Sequence, residues 1–283
     1  MKSWLMNPVL NKEFKLRFRS FKSFLGVLFY VLAIGALVIG MIYIQSLSNM
    51  GRHIDPDASR SMFIFLAVVQ LALILFITPG LTAGVISSER ERQTLNILLT
   101  TSQSSKGIIF GKLISSISYL LLLVVASLPL YSIVFLFGGI SPAQLLMVLG
   151  FNVFTVIVYG SIGVLFSTLV RKTIAAMVTT YGVTLFLVGG TALLTLLFAS
   201  MALGLQGNST TPTTNPLPYL AAMLNTPIVM ISFIEPTYSE EIKKLAGIDF
   251  PLWAAHLICY TLLLIGAVLL SVKKLRVGMK AKR

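Results

Sequence analysis

The sequence predicts an all-α polytopic membrane protein, and three observations carry that prediction. The 283 residues are 56% hydrophobic and only 11% charged, with mean hydropathy +0.91; a soluble domain carries roughly 25% charged residues. The apolar residues form continuous runs long enough to cross a bilayer as helices, for which about 18 or more residues suffice. They do not alternate in short segments as a membrane β-barrel would require. Six spans follow, at about 24–47, 62–86, 108–137, 143–170, 174–204 and 252–272, and the whole of residues 1–283 reads as a single transmembrane domain.

Residues 8–23 precede the first span and have a different character. Phe14, Phe18 and Phe21 fall with Leu10 and Leu25 on one helical face, and Lys12, Lys15, Arg19 and Lys22 on the other. Such phasing predicts an interfacial amphipathic helix, with rings in the acyl boundary and basic groups toward lipid headgroups. The run from Phe24 to Ile44 exceeds the 7–15 apolar residues of a signal peptide, so it is read as span one.

Basic residues set the orientation. With the N-terminus inside, the inner segments hold Lys2, Lys12, Lys15, Arg17, Arg19 and Lys22; Arg90, Arg92, Lys106 and Lys112, counted with a connecting segment 87–112; Arg171 and Lys172; and Lys273, Lys274, Arg276, Lys280, Lys282 and Arg283. Only Arg52, Arg60, Lys243 and Lys244 remain outside. The predicted topology is N-in, C-in. The net charge of +13 is thereby explained by inner loops, and no nucleic acid is invoked. Residues 217–234 are apolar enough for a seventh span, which would carry the basic tail outside. Pro218, Asn225 and Pro227 break them up. They are expected to form re-entrant or surface-lying helices in an external loop, 205–251.

Catalytic constellations are missing from the pattern. The single Cys259 and the widely separated His53 and His256 make no metal set. Gly107-Ile-Ile-Phe-Gly111-Lys112 has three residues between its glycines and then Leu113, where a phosphate loop needs four and then Ser or Thr. The chain is expected to be no enzyme and to hold no cofactor or metal of its own. Uncharged polar residues inside spans, Gln70 and Thr78 in span two and Thr179, Thr180 and Tyr181 in span five, are candidates for lining a pathway.

The segment after span two is the informative one. Ser88-Glu89-Arg90-Glu91 fits a capping box, with Ser88 as N-cap and Glu91 three residues on. Leu95, Leu98 and Leu99 follow at helical spacing. A mere connection needs only a few residues, and the loop 87–106 has about twenty. A charged helix start with an apolar ridge suits a protein partner.

The run Glu89-Arg90-Glu91-Arg92-Gln93-Thr94-Leu95-Asn96-Ile97-Leu98-Leu99, followed by Gly111-Lys112, resembles the E-x-E-x-G-T-L-E-x-L-L … G-K signature of permease subunits in ABC-2 type transporters. Residues 7–19, Asn7-Pro8-Val9-Leu10-Asn11-Lys12-Glu13-Phe14-Lys15-Leu16-Arg17-Phe18-Arg19, resemble the opening of the same family, and the six-span layout is similar to it throughout. Gln93, Asn96 and Ser102 stand where the family often has Gly, Glu and Pro. The resemblance implies an exporter permease in the plasma membrane that pairs with a second permease copy or a related permease. Two separate ABC ATPase subunits would bind the ATP and Mg. The apolar spans themselves suit amphiphilic cargo, such as a drug, an antimicrobial peptide or a lipid-like molecule, better than ions. The resemblance further implies that 87–106 holds the coupling helix. Glu89, Arg90, Glu91, Arg92, Thr94, Leu95 and Leu98 would meet the ATPase, with Arg171 and Lys172 as a second contact, and spans two and five would line the pathway. The rival expectation is a membrane sensor or assembly subunit that recruits a cytoplasmic partner without transport.

Overall fold

The computed structural model of the protein describes residues 18–48, 56–95, 104–136, 140–207 and 214–280. Among them there is no strand. Six helical segments are long and apolar enough to cross a membrane, at 23–47, 59–91, 105–136, 142–169, 173–204 and 252–275. The chain divides into two compact units, residues 1–180 with 264–283, and residues 181–263.

The first unit begins with α1 (Phe21–Ser48), which carries span one. Its start alters the interfacial-helix expectation. The chain bends at Arg19 and Ser20, and the Ser20 carbonyl accepts the backbone N–H groups of Ser23 and Phe24. Phe21 therefore opens the helix that carries the span, exposed and tilted against Phe24 with ring centroids 6.3 Å apart. Phe18 and Arg19 are exposed before the bend, while Lys12, Phe14 and Lys15 lie outside the described residues.

Helix α2 (Pro56–Thr82) carries span two and packs most extensively on α6 (Pro142–Leu169), which carries span four. Small residues make that closeness possible. A Cβ at Gly163 would run into the side chain of Thr82, and one at Gly160 would lie 3.3 Å from Ile117 Cγ1 on α4 (Ser105–Ala126). Three helices thus converge on one glycine pair.

Span three is α4 followed by α5 (Leu128–Leu136), interrupted at Ser127. Pro129 has no N–H to give the preceding turn, and the Ser127 hydroxyl donates to the Val124 carbonyl at 2.7 Å. Below that break Tyr131 is fully buried and meets Phe63 edge-on, with centroids 5.5 Å apart. Lys112, counted above with the connecting segment, instead lies in the second turn of α4 and is buried.

The second unit contains most of span five. Helix α7 (Thr173–Leu185) runs into a π turn (Phe186–Gly190) and then α8 (Thr191–Gly207). Next comes a pair of short helices, α9 (Leu217–Leu224) and α10 (Thr226–Ile234), bent by 92°. Pro218 and Pro227 sit in the first turns of their helices, where a missing N–H costs nothing. The break is therefore at Asn225 alone. Helix α11 (Pro236–Ala246) falls where the sequence pattern predicts only external loop. It buries Ala246 and half-buries Ile242 and Leu245, exposes Glu240, Glu241 and Lys244, and packs on α9 and α10. Gly247 ends it in the left-handed conformation, φ 66°, as helix C-termini commonly require. The last span is α12 (Leu252–Lys280).

Candidate coupling site

Where α2 ends, the backbone does not leave the helical path. Residues 83–86 form turns in which Ala83 N–H donates to the Pro79 carbonyl at 2.9 Å and Ser88 N–H to the Gly84 carbonyl at 3.0 Å. The short helix α3 (Ser87–Glu91) grows directly from them. This overturns the capping box. Ser88 already has a partner for its N–H, the flanking Ile86 is in the right-handed helical region, and no side chain caps the helix. An N-cap needs an extended backbone, and here the chain has none.

The N–H groups left over at the turn are met from another helix. Ser167 Oγ, on the last turn of α6, accepts from Ile86 N at 2.8 Å and Ser87 N at 3.0 Å. Span five also comes close. A Cβ at Gly84 would lie 3.2 Å from Met177 Cε and 3.3 Å from Thr173 Cγ2.

Each charged residue of α3 then reaches a different neighbour. Glu89 Oε1 pairs with Lys112 Nζ of α4 at 2.6 Å, and the lysine side chain is only 3% exposed. Arg90 donates to the Thr168 carbonyl at 3.0 Å and the Val170 carbonyl at 3.4 Å, carbonyls that the end of α6 leaves without helical partners. Glu91 accepts the Thr173 backbone N–H at 3.0 Å and its hydroxyl at 2.6 Å, placing a carboxylate on the N-terminus of α7. One turn of helix is thereby tied to the ends of spans three, four and five.

Past α3 the chain reverses. Gln93 takes a left-handed conformation, φ 59°, at the residue after the helix's C-cap, the position glycine usually fills. Thr94 Oγ1 donates back to the Glu89 carbonyl at 3.2 Å. Leu95 is buried, and Leu98 lies outside the described residues. Arg92, Gln93 and Thr94 are exposed, as are Arg171 and Lys172 of the turn between α6 and α7. The site thus has an exposed, mostly basic outer face beside a frame in which Glu89 is paired with Lys112, while Arg90 and Glu91 are held by uncharged groups. Ser167, one part of that frame, carries no pattern of its own in the sequence, being a serine at a helix end. Lys112 stands out there only as the end of the Gly111-Lys112 signature, without its partner Glu89.

The pathway candidates differ in exposure. Gln70, Thr78 and Thr180 are buried, Thr179 is exposed and Tyr181 is half-buried. Thr78, Thr179 and Thr180 each donate to the carbonyl four residues back, on Ile74, Ala175 and Ala176.

No curated protein sequence matches the chain. The family described as ABC-2 family transporter protein matches residues 8–270, nearly the whole length and including the interlocked segment after span two. The chain is a multi-pass membrane permease belonging to the ABC-2 family of transporter proteins.

Proposed function

We propose that the chain is the permease subunit of an exporter in the plasma membrane, driven by two separate ABC ATPase subunits that bind the ATP and Mg, and working as a pair with a second permease. The observation that supports this reading is the triple attachment of α3, through Glu89, Arg90 and Glu91, to α4, α6 and α7. A force applied at the exposed residues 91–94 is passed to three spans at once, because the bonds land within the spanning helices themselves, on Lys112, Thr168 and Thr173. In this reading the cytoplasmic face of the site is Arg92, Thr94, Arg171 and Lys172, which meet the ATPase, while Glu89, Arg90 and Glu91 transmit its motion. The cargo is amphiphilic.

The experiment is reconstitution with the cognate ATPase in proteoliposomes. Charge reversal of Arg92, Arg171 and Lys172 together is expected to release the ATPase and abolish transport. A triple variant that still binds its ATPase with unchanged affinity overturns the docking face. ATP hydrolysis that cargo does not stimulate in the intact complex would instead favour a sensor or assembly subunit.

A further inference from the structure

The π turn in span five is held by a residue 35 positions beyond it. A π turn opens the helix by one residue and leaves carbonyls poorly paired. Here Thr191 N–H is shared between the Phe186 carbonyl, the bond that defines the wide turn, and the Val188 carbonyl, and the Thr191 hydroxyl donates to the Leu187 carbonyl at 2.7 Å. Asn225 supplies the remainder. Its Nδ2 donates to the Val188 carbonyl at 2.6 Å and to Thr191 Oγ1 at 2.9 Å, and its Oδ1 accepts from Ile228 N at 2.9 Å. Val188 O can only accept, so the orientation of the amide is settled chemically. The side chain is fully buried, and both amide hydrogens and the oxygen are engaged.

Asn225 is itself fixed in space. It is the corner of the bent pair, and the two carbonyls before it are tied to α12: His256 Nδ1 donates to the Met223 carbonyl at 2.7 Å, and Tyr260 OH to the Leu224 carbonyl at 2.6 Å. The two rings stack with centroids 4.0 Å apart. The π turn also has a steric requirement of its own. A Cβ at Gly190 would lie 2.8 Å from a ring carbon of Phe186, so a larger residue there would require the exposed Phe186 ring to shift.

We propose that Asn225 is a positioning residue for transport: by holding the π turn, the 223–225 corner sets the rotation of α8 relative to residues 181–185. If the π turn relaxed to an α turn, every residue on one side would slip by one position, a rotation of about 100° and a shift of about 1.5 Å. The side of α8 that presents Leu193, Leu196 and Leu197 would change. The proposal rests on the permease reading only for its transport consequence; the register itself is readable without transport or ATPase.

The test uses the full chain in lipid, with its single cysteine removed as Cys259→Ser and one nitroxide-labelled cysteine placed in turn at each position from 192 to 198. Oxygen accessibility reports which positions face lipid, and the native pattern is expected to peak at 193, 196 and 197. Asn225→Ala is expected to move that pattern by one residue and to reduce transport, with ATPase binding retained. Deleting Gly189 together with Asn225→Ala removes the extra residue of the turn, and is expected to restore the native pattern. An unshifted pattern in Asn225→Ala overturns the proposal. So does a double variant no better folded or phased than the single one. A shifted pattern with undiminished transport overturns the positioning role while leaving the ATPase reading intact.

Discussion

Glu91 closes the first turn of α7 from a distance of 82 residues, taking the Thr173 hydroxyl on one carboxylate oxygen and the Thr173 N–H on the other. Glu91→Ala removes both bonds and leaves that helix start to water. The residue is exposed, so the change is expected to leave folding and ATPase binding close to native while uncoupling ATP hydrolysis from transport. Glu91→Gln keeps an acceptor for the N–H and is expected to retain part of the coupling. Parallel measurement of ATPase affinity and of cargo moved per ATP checks both, since loss of affinity would mean that Glu91 docks the partner directly.

The Lys112–Glu89 pair sets a second expectation. The lysine is almost wholly buried whereas the glutamate is about a quarter exposed, so its carboxylate is partly screened by water. Truncating one member of a buried pair leaves the other charge unbalanced. Glu89→Ala is expected to cost about 1–3 kcal/mol, below the range for fully buried pairs because of that screening. Lys112→Met with Glu89→Leu is expected to recover most of the loss. Thermal unfolding of the native chain, Glu89→Leu, Lys112→Met and the double variant in detergent gives the coupling as a double-mutant cycle.

Much of the fold is legible because a membrane span leaves few alternatives: each crossing must be helical and nearly all apolar. The site is only partly so. Ser88 and Glu91 have the spacing of a capping box, but a box depends on the upstream chain leaving the helical region, and Gly84 keeps it there by giving Ser88 a partner. Lys112 was hidden by the rule that charges stay out of spans, which fails when Glu89 waits at the same depth. Helix α11 had its signals in plain view, with Pro236 at its start, Lys243 and Lys244 in its last turn and Gly247 after it. Asn225 shows in the sequence only as a break in an apolar run, because its partners on span five are 37 and 34 residues away.

Gly163 tests how tightly the helices bearing the site are joined. A methyl at that position would overlap the Thr82 side chain, with Thr82 Cβ at 2.8 Å and Ala83 N at 3.3 Å. Gly163→Ala is expected to destabilise by about 1–3 kcal/mol, the usual penalty for overpacking. Thr82→Ala in the same chain should relieve only part of it, because the Cβ remains. Detergent melting curves of the single and double variants check that order.

The last expectation concerns Gln93, whose φ of 59° places a side chain where the left-handed region penalises every residue but glycine. A left-handed L-residue costs roughly 1–2 kcal/mol, and glycine's greater freedom in the unfolded chain returns part of the gain. Gln93→Gly is therefore expected to stabilise the protein by up to about 1 kcal/mol. Gln93→Val, branched at Cβ, is expected to destabilise it by more than that gain. Because Gln93 is exposed and follows α3 directly, its conformation sets where Thr94 and Leu95 go. The glycine variant should accordingly raise the melting temperature while leaving the ATPase affinity within about twofold. If Gln93→Gly instead lowers stability, the Gln93 side chain contributes a contact that outweighs its backbone strain, and the turn is held by something other than its conformation.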